Sequence, residues 1–136
     1  MVTAFHSDAA NTTPWKNPTT HATGLRVPSP FAGRQMLRIL RESKGGAVAV
    51  SERAMIEAQH LLARLEGIWT SPEGAALIAA LGQLKDAGQV TADARVVIML
   101  TGAGIKYEAP ELPTPHDLDG APEEIFQQVT AALSRA

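Results

Sequence analysis

Arg95-Val96-Val97-Ile98-Met99-Leu100-Thr101-Gly102-Ala103-Gly104 is the stretch on which the fold of this chain turns. Residues 96–100 are a continuous apolar run of strand length, rich in β-branched side chains, which is the pattern of a parallel strand covered on both faces. Its carboxyl end delivers a hydroxyl, Thr101, and a glycine-flanked turn. Ligands of open α/β sheets bind at that edge. Glycine lets backbone approach a ligand closely, and a threonine hydroxyl can donate to or accept from a ring nitrogen. The ordinary alternative is a strand end that needs flexible glycines to turn. Gly102-Ala103-Gly104 lacks the further glycine and the helix start of a dinucleotide fingerprint.

Upstream of this run, Ser71-Pro72 pairs an N-cap hydroxyl with a first-turn proline. It predicts a helix from Glu73 to about Asp86, apolar almost all round through residues 75–81 and therefore expected to be buried. Ser51 predicts the cap of another helix, with Glu52 at the positive end of its dipole. Met55, Ala58, Leu62 and Leu65 recur at helical spacing, and the end is expected near Glu66, before Gly67. Ala47-Val48-Ala49-Val50 reads as a short buried strand. Ser29-Pro30 predicts a further helix to about Ser43, with Phe31, Met36, Leu37, Ile39 and Leu40 apolar, Arg34, Arg38 and Arg41 solvated, and Gly45-Gly46 as its stop.

Residues 7–30 carry repeated X-Pro steps that oppose helix, so the region reads as loop or extended connector. Downstream, 110–122 is a proline-rich acidic loop. Pro122 to Arg135, with Ile125, Val129 and Leu133 on one side, predicts a terminal amphipathic helix. The organisation expected is thus a 1–29 extended connector, a 30–109 α/β unit, and a 110–136 loop and C-terminal helix. Helices alternating with covered strands imply α/β layering. Two covered strands are too few for a stable sheet, because their backbone groups need paired neighbours. Further strands must come from an oligomer or from sequence outside this chain.

Of the 136 residues 45% are hydrophobic, but only 4% of the 136 are aromatic. A chain of that size can bury about two-thirds of its unfolded surface. Its core must come from aliphatic residues and many alanines, which suits closely apposed helices. A net charge of −2 offers no basic field to a phosphate backbone. The absence of Cys excludes disulfides and thiolate chemistry. No stretch approaches the ~20 apolar residues of a spanning helix. The expectation is a cytoplasmic protein that binds neither nucleic acid nor membrane.

Five stretches, in order, resemble one family. They are Asn17-Pro18 with Thr20-His21-Ala22-Thr23-Gly24-Leu25-Arg26-Val27, then Leu40-Arg41-Glu42-Ser43-Lys44-Gly45-Gly46, then Ala58 to Ile68. Ser71-Pro72-Glu73-Gly74-Ala75-Ala76 follows, and Val96 to Gly104 closes the set. Together they resemble the C-terminal part of the threonine synthases, pyridoxal-phosphate (PLP) enzymes related to the tryptophan synthase β subunit. The resemblance implies part of the large domain of a fold type II PLP enzyme, with parallel strands and covering helices. It implies conversion of O-phosphohomoserine and water to threonine and phosphate, with the cofactor as electron sink. By the same resemblance Thr101 places its hydroxyl against the cofactor's pyridine nitrogen, with the Gly102 turn behind it.

The family's Schiff-base lysine segment and its glycine-rich phosphate loop have no counterpart in these residues. Lys16, Lys44, Lys85 and Lys106 are expected to be solvated charges, and Gly45-Gly46 a helix stop. On this reading the isolated chain is inactive and no residue in it is catalytic. It would need an N-terminal complementing chain or a homo-oligomer to act on its small-molecule substrate. The rival reading is a non-catalytic binding or subunit-associating module on the same scaffold. His6, His21, His60 and His116 are too dispersed to hold a metal. Glu73 reads first as a dipole-stabilising residue, and Trp15 and Trp69 as packing anchors.

Overall fold

The computed structural model describes residues 1–108 and 118–134. Five α-helices are present among them: α1, Val2–His6; α2, Gly33–Glu42; α3, Glu52–Glu66; α4, Pro72–Asp86; and α5, Pro122–Leu133. Short 3-10 turns occupy Thr23–Leu25 and Gly104–Lys106.

The two long helices begin where the sequence places their caps. Ser51 is extended and its side chain accepts from the Ala54 N–H at 3.2 Å, which satisfies a donor that has no intrahelical partner. Gly67, at φ 67°, closes α3 in the left-handed conformation that a side chain disfavours. Ser71 repeats the cap on α4, accepting from the Gly74 N–H at 3.3 Å, and Pro72 fills the first turn.

Three expectations about helices need correction. α2 starts at Gly33, not Pro30, and Ala32 stands at its N-cap with no side-chain bond. A local turn, with the Gly33 N–H donating to the Pro30 carbonyl at 3.1 Å, leads into it, and a Cβ on Gly33 would lie 2.7 Å from Thr12 Oγ1, so the connector packs closely on the helix start. Phe31 is fully exposed, Leu37 is buried, and the left-handed residue that ends the helix is Lys44, φ 54°, rather than Gly45 or Gly46. The second correction is α1, which lies in the span read as connector. Arg41 holds it from a distance, its Nη2 donating to the Ala4 and Ala9 carbonyls at 3.4 and 2.9 Å. The third is α4, whose buried residues are confined to Pro72, Gly74, Ala75 and Ala76.

The core lies where α3 and α4 cross. Met55 and Ala58 from α3 meet Ala75 and Ala76 from α4, and Ala22 from the connector is fully enclosed between them. Alanines let the helix axes approach, so the closest packing coincides with the smallest side chains. Val50, Ile78 and Ala79 pack around this cluster.

The expected strands do not form a sheet. Among the described residues the β-pairing consists of one isolated antiparallel bridge, Thr70 with Ala103. Residues 47–50 and 95–100 form no strand, and no α/β layering is present among the described residues. The cause is stoichiometric: each covered strand needs neighbours, and no other described segment supplies one. The consequence is a large surface. The chain exposes 10831 Å², against about 6,800 Å² for a compact monomer of its 14.4 kDa mass. The expected burial of two-thirds of the unfolded surface therefore falls to about half. α5 buries no residue, and the loop expected at 110–122 lies largely outside the described residues.

Candidate functional site

The turn that follows residues 95–100 is pinned to the start of α4. The Ser71 N–H donates to the Gly102 carbonyl at 3.0 Å, and the Thr70 hydroxyl donates to the same oxygen at 3.3 Å. The Gly104 N–H donates to the Trp69 carbonyl at 2.9 Å. Thr70 and Ser71 are fully buried, so these bonds are shielded from water. Gln59, itself buried on α3, donates its side-chain N–H to the Thr70 carbonyl at 2.6 Å and completes the network.

Both glycines of the turn are required by this packing. A Cβ on Gly102 would sit 2.9 Å from Ser71 Oγ, and one on Gly104 would meet the Trp69 ring and lie 2.6 Å from the Thr70 carbonyl. Their close approach is to the 69–71 segment of the same chain. Thr101 itself is exposed.

Glu73, in the first turn of α4, is the residue the sequence underrated. Its Oε1 accepts from the Gly24 N–H at 2.6 Å and its Oε2 from the Tyr107 hydroxyl at 2.7 Å. The carboxylate thus ties the 23–25 turn and the segment after Gly104 to one helix end. Partial burial pushes its pKa up, but the bonds from Tyr107, from its own backbone N–H, from Gly24 and from Ser71 outweigh that and hold it below the ordinary carboxylate value. Glu52 plays the matching part on α3, accepting from the His21 N–H at 3.0 Å, with a hydrogen bond from Thr20 foremost in lowering its pKa. The legible signal was the repetition of a carboxylate in the first turn behind each serine cap. What the spacing did not reveal is that both carboxylates reach the 20–24 segment.

A cavity of about 340 Å³ lies beside this clamp, lined by Thr20, His21, Thr23, Met55, Gln59 and Tyr107 among others. Thr101 and Gly102 line neither it nor three larger clefts of about 730 to 950 Å³ among the described residues. Lys16, Lys44, Lys85 and Lys106 are all exposed, as expected. No cluster of three or more metal-ligating side chains exists among the described residues. His60 stacks edge to face on Trp69, centroids 5.4 Å apart, and Trp69 packs as anticipated, whereas Trp15 is 66% exposed, its backbone N–H donating to the Pro28 carbonyl at 2.8 Å. His116 lies outside the described residues. No described helix is long and apolar enough to cross a membrane.

The match to known proteins sets this geometry in context. A family profile described as pyridoxal-phosphate dependent enzyme matches residues 1–102 of the 136. The chain belongs to this family of PLP-dependent enzymes, and with it to the tryptophan-synthase-β-like fold. Within the family it is similar to threonine synthases. That of Methanocaldococcus jannaschii is 41% identical over 78% of this chain and 26% of its own length. That of Methanosarcina acetivorans is 38% identical over 93% of this chain and 33% of its own. That of Synechocystis is 39% identical over 88% and 28%. The chain therefore spans about a quarter to a third of these relatives.

The described residues do not by themselves enclose the family's cofactor. The one hydroxyl assigned to it by resemblance is exposed, it lines none of the cavities above, and every lysine stands in solvent. No catalytic step is assigned to a residue of this chain.

Proposed function

We propose that this chain is the C-terminal part of a threonine-synthase-like enzyme that converts O-phosphohomoserine and water to threonine and phosphate in the cytoplasm. The observation that carries the reading is the 41% identity to a threonine synthase over 78% of the chain. On this reading the chain contributes scaffold. α3, α4 and the bridge between 69–71 and 102–104 hold Thr101 at the open end of the turn, where its hydroxyl would meet the cofactor's pyridine nitrogen. The lysine, the phosphate-binding loop and most of the substrate contacts belong to the larger remainder of the enzyme.

The test uses phosphate release from O-phosphohomoserine in the presence of PLP. The chain alone should release none above background, and borohydride should fix no cofactor to its lysines. Co-expression with the lysine-bearing remainder of a threonine synthase should restore release. Thr101→Ala in that complex should lower it by about tenfold, the scale of one hydrogen bond to a reacting system. Release by the chain alone would overturn the reading.

The exposure of Thr101 favours one second reading, a non-catalytic subunit-associating module. It would form a complex with the remainder in which Thr101→Ala changes nothing.

A further inference from the structure

We propose that the groove between α3 and α4 is the seat of an α5 helix supplied by a second copy of this chain, so that two copies exchange their C-terminal helices reciprocally. α5 lies past residue 102, outside the residues that the PLP-enzyme profile matches, and the exchange does not rest on the reading of the chain as a threonine synthase.

α5 has the composition of a packed helix and the environment of a bare one. Ile125, Phe126, Val129 and Leu133 recur at helical spacing and fall on one side, yet the helix buries no residue. Phe126 is 72% exposed and Leu133 73%. A helix of 12 residues standing alone is marginal in water, so its persistence calls for a cover over this face.

The groove offers the complementary surface. α4 is apolar almost all round, yet its buried residues end at Ala76. Beyond that point Ile78, Ala79 and Gly82, together with Ile56 and Leu61 of α3, line a cleft of about 830 Å³. Ile56 and Leu61 stay exposed in it. Gly82 stands inside α4, where glycine is a poor helix former, and a Cβ there would meet nothing within 4 Å. The space over Gly82 is the space that a seated helix would fill.

Length and charge fix the orientation and identify the occupant. The α3 side of the cleft runs from Ala54 to Arg64, and Glu123 to Leu133 covers the same helical rise of about 15 Å. Among the described residues Arg64 has no carboxylate partner, whereas Glu57 is held by Arg53 at 2.7 Å. In α5, Glu124 accepts from the Ala121 N–H at 3.0 Å, and Glu123 is the carboxylate of the first turn left without such a bond. Setting Glu123 beside Arg64 runs α5 antiparallel to α3 and lays Phe126, Val129 and Leu133 along the cleft. The chain leaves its own groove and its own α5 uncovered together, so the seat is not taken within one copy. Exchange about a two-fold axis covers both grooves and both helices in a closed pair. Each partner then contributes one helix face and one groove, together on the order of the 800 Å² per side that a stable interface buries.

The experiment measures the mass of the full chain by sedimentation over a concentration series, with helicity followed by circular dichroism. A dimer is expected. Phe126→Asp puts a charge on the seated face, and Gly82→Leu fills the groove where the chain alone has open space. Each should weaken dimerisation at least about tenfold, and Gly82→Leu should do so without loss of helicity. The two variants mixed should associate more tightly than either alone, because the first keeps an open groove and the second an intact helix, which restores one of the two seats. A monomer at every concentration overturns the exchange, and so does a dimer that ignores both variants. A monomer whose melting temperature falls with Phe126→Asp places α5 in its own chain and overturns the second copy. A mixture no tighter than the separate variants overturns the reciprocal seating.

Discussion

At Glu73 a single carboxylate joins three pieces of chain that are distant in sequence: the 23–25 turn, the start of α4 and Tyr107. Its pKa in the folded chain lies below the ordinary 4.5, because hydrogen bonds outweigh the opposing effect of burial. A depressed value means that the ionised group stabilises the fold fully above its unfolded pKa, and that this contribution is lost as pH falls through the lower folded value. Tyr107 shifts upward, chiefly through the same bond to Glu73, so its neutral form stabilises the fold below 10.0 and the contribution is lost as pH rises through its raised folded value. The melting temperature should therefore fall at both extremes. Tyr107→Phe should melt earlier at neutral pH, lose the alkaline limb, and show a weaker acid limb in thermal melts followed by circular dichroism. An acid limb identical to the parent's would show that the Glu73–Tyr107 bond does not form in solution.

At the scale of elements, the contrast between α4 and α2 separates capped from uncapped boundaries. Ser71→Ala deletes a cap seen in the structure and should cost about 1 kcal/mol in urea unfolding, since the Gly74 N–H loses its acceptor. Ser29→Ala should stay within about 0.5 kcal/mol, because α2 begins at Gly33 and Ser29 caps nothing. Equal losses in the two variants would contradict the observed start of α2. The bounds of α3 and α4 were legible because serine caps and Gly67 act within a few residues. Those of α1 and α2 were not, because Arg41 holds α1 from another part of the chain and α2 has no side-chain cap to mark its start.

For the whole molecule, the governing fact is area. With about half of its unfolded surface still in water, and with packing concentrated between α3 and α4, the isolated chain has little hydrophobic stabilisation against its conformational entropy. It should bind a hydrophobic dye at neutral pH, and its urea transition should be shallower than that of a compact domain of equal length, because the slope follows the area exposed on unfolding. Formation of the complex with the remainder of the fold should abolish dye binding and steepen the transition. A sharp, dye-free melt of the chain alone would show that its apolar surface is covered without a partner.

The amino-acid sequence by itself determined the long helices, the alanine-built contact between them, the solvated lysines and the likeness to threonine synthases. Each of these depends on a cap, a period or an ordered motif that is read over a few neighbouring residues. It also marked 47–50 and 95–100 as strand-forming, a local preference that the tertiary structure leaves unpaired. Only the tertiary structure decided that Glu52 and Glu73 clamp the 20–24 segment, that Gln59 locks the turn below Thr101, and that Gly102 and Gly104 face Ser71 and Trp69. Strand pairing and side-chain clamps depend on which groups meet across large sequence separations, and no local pattern encodes that meeting.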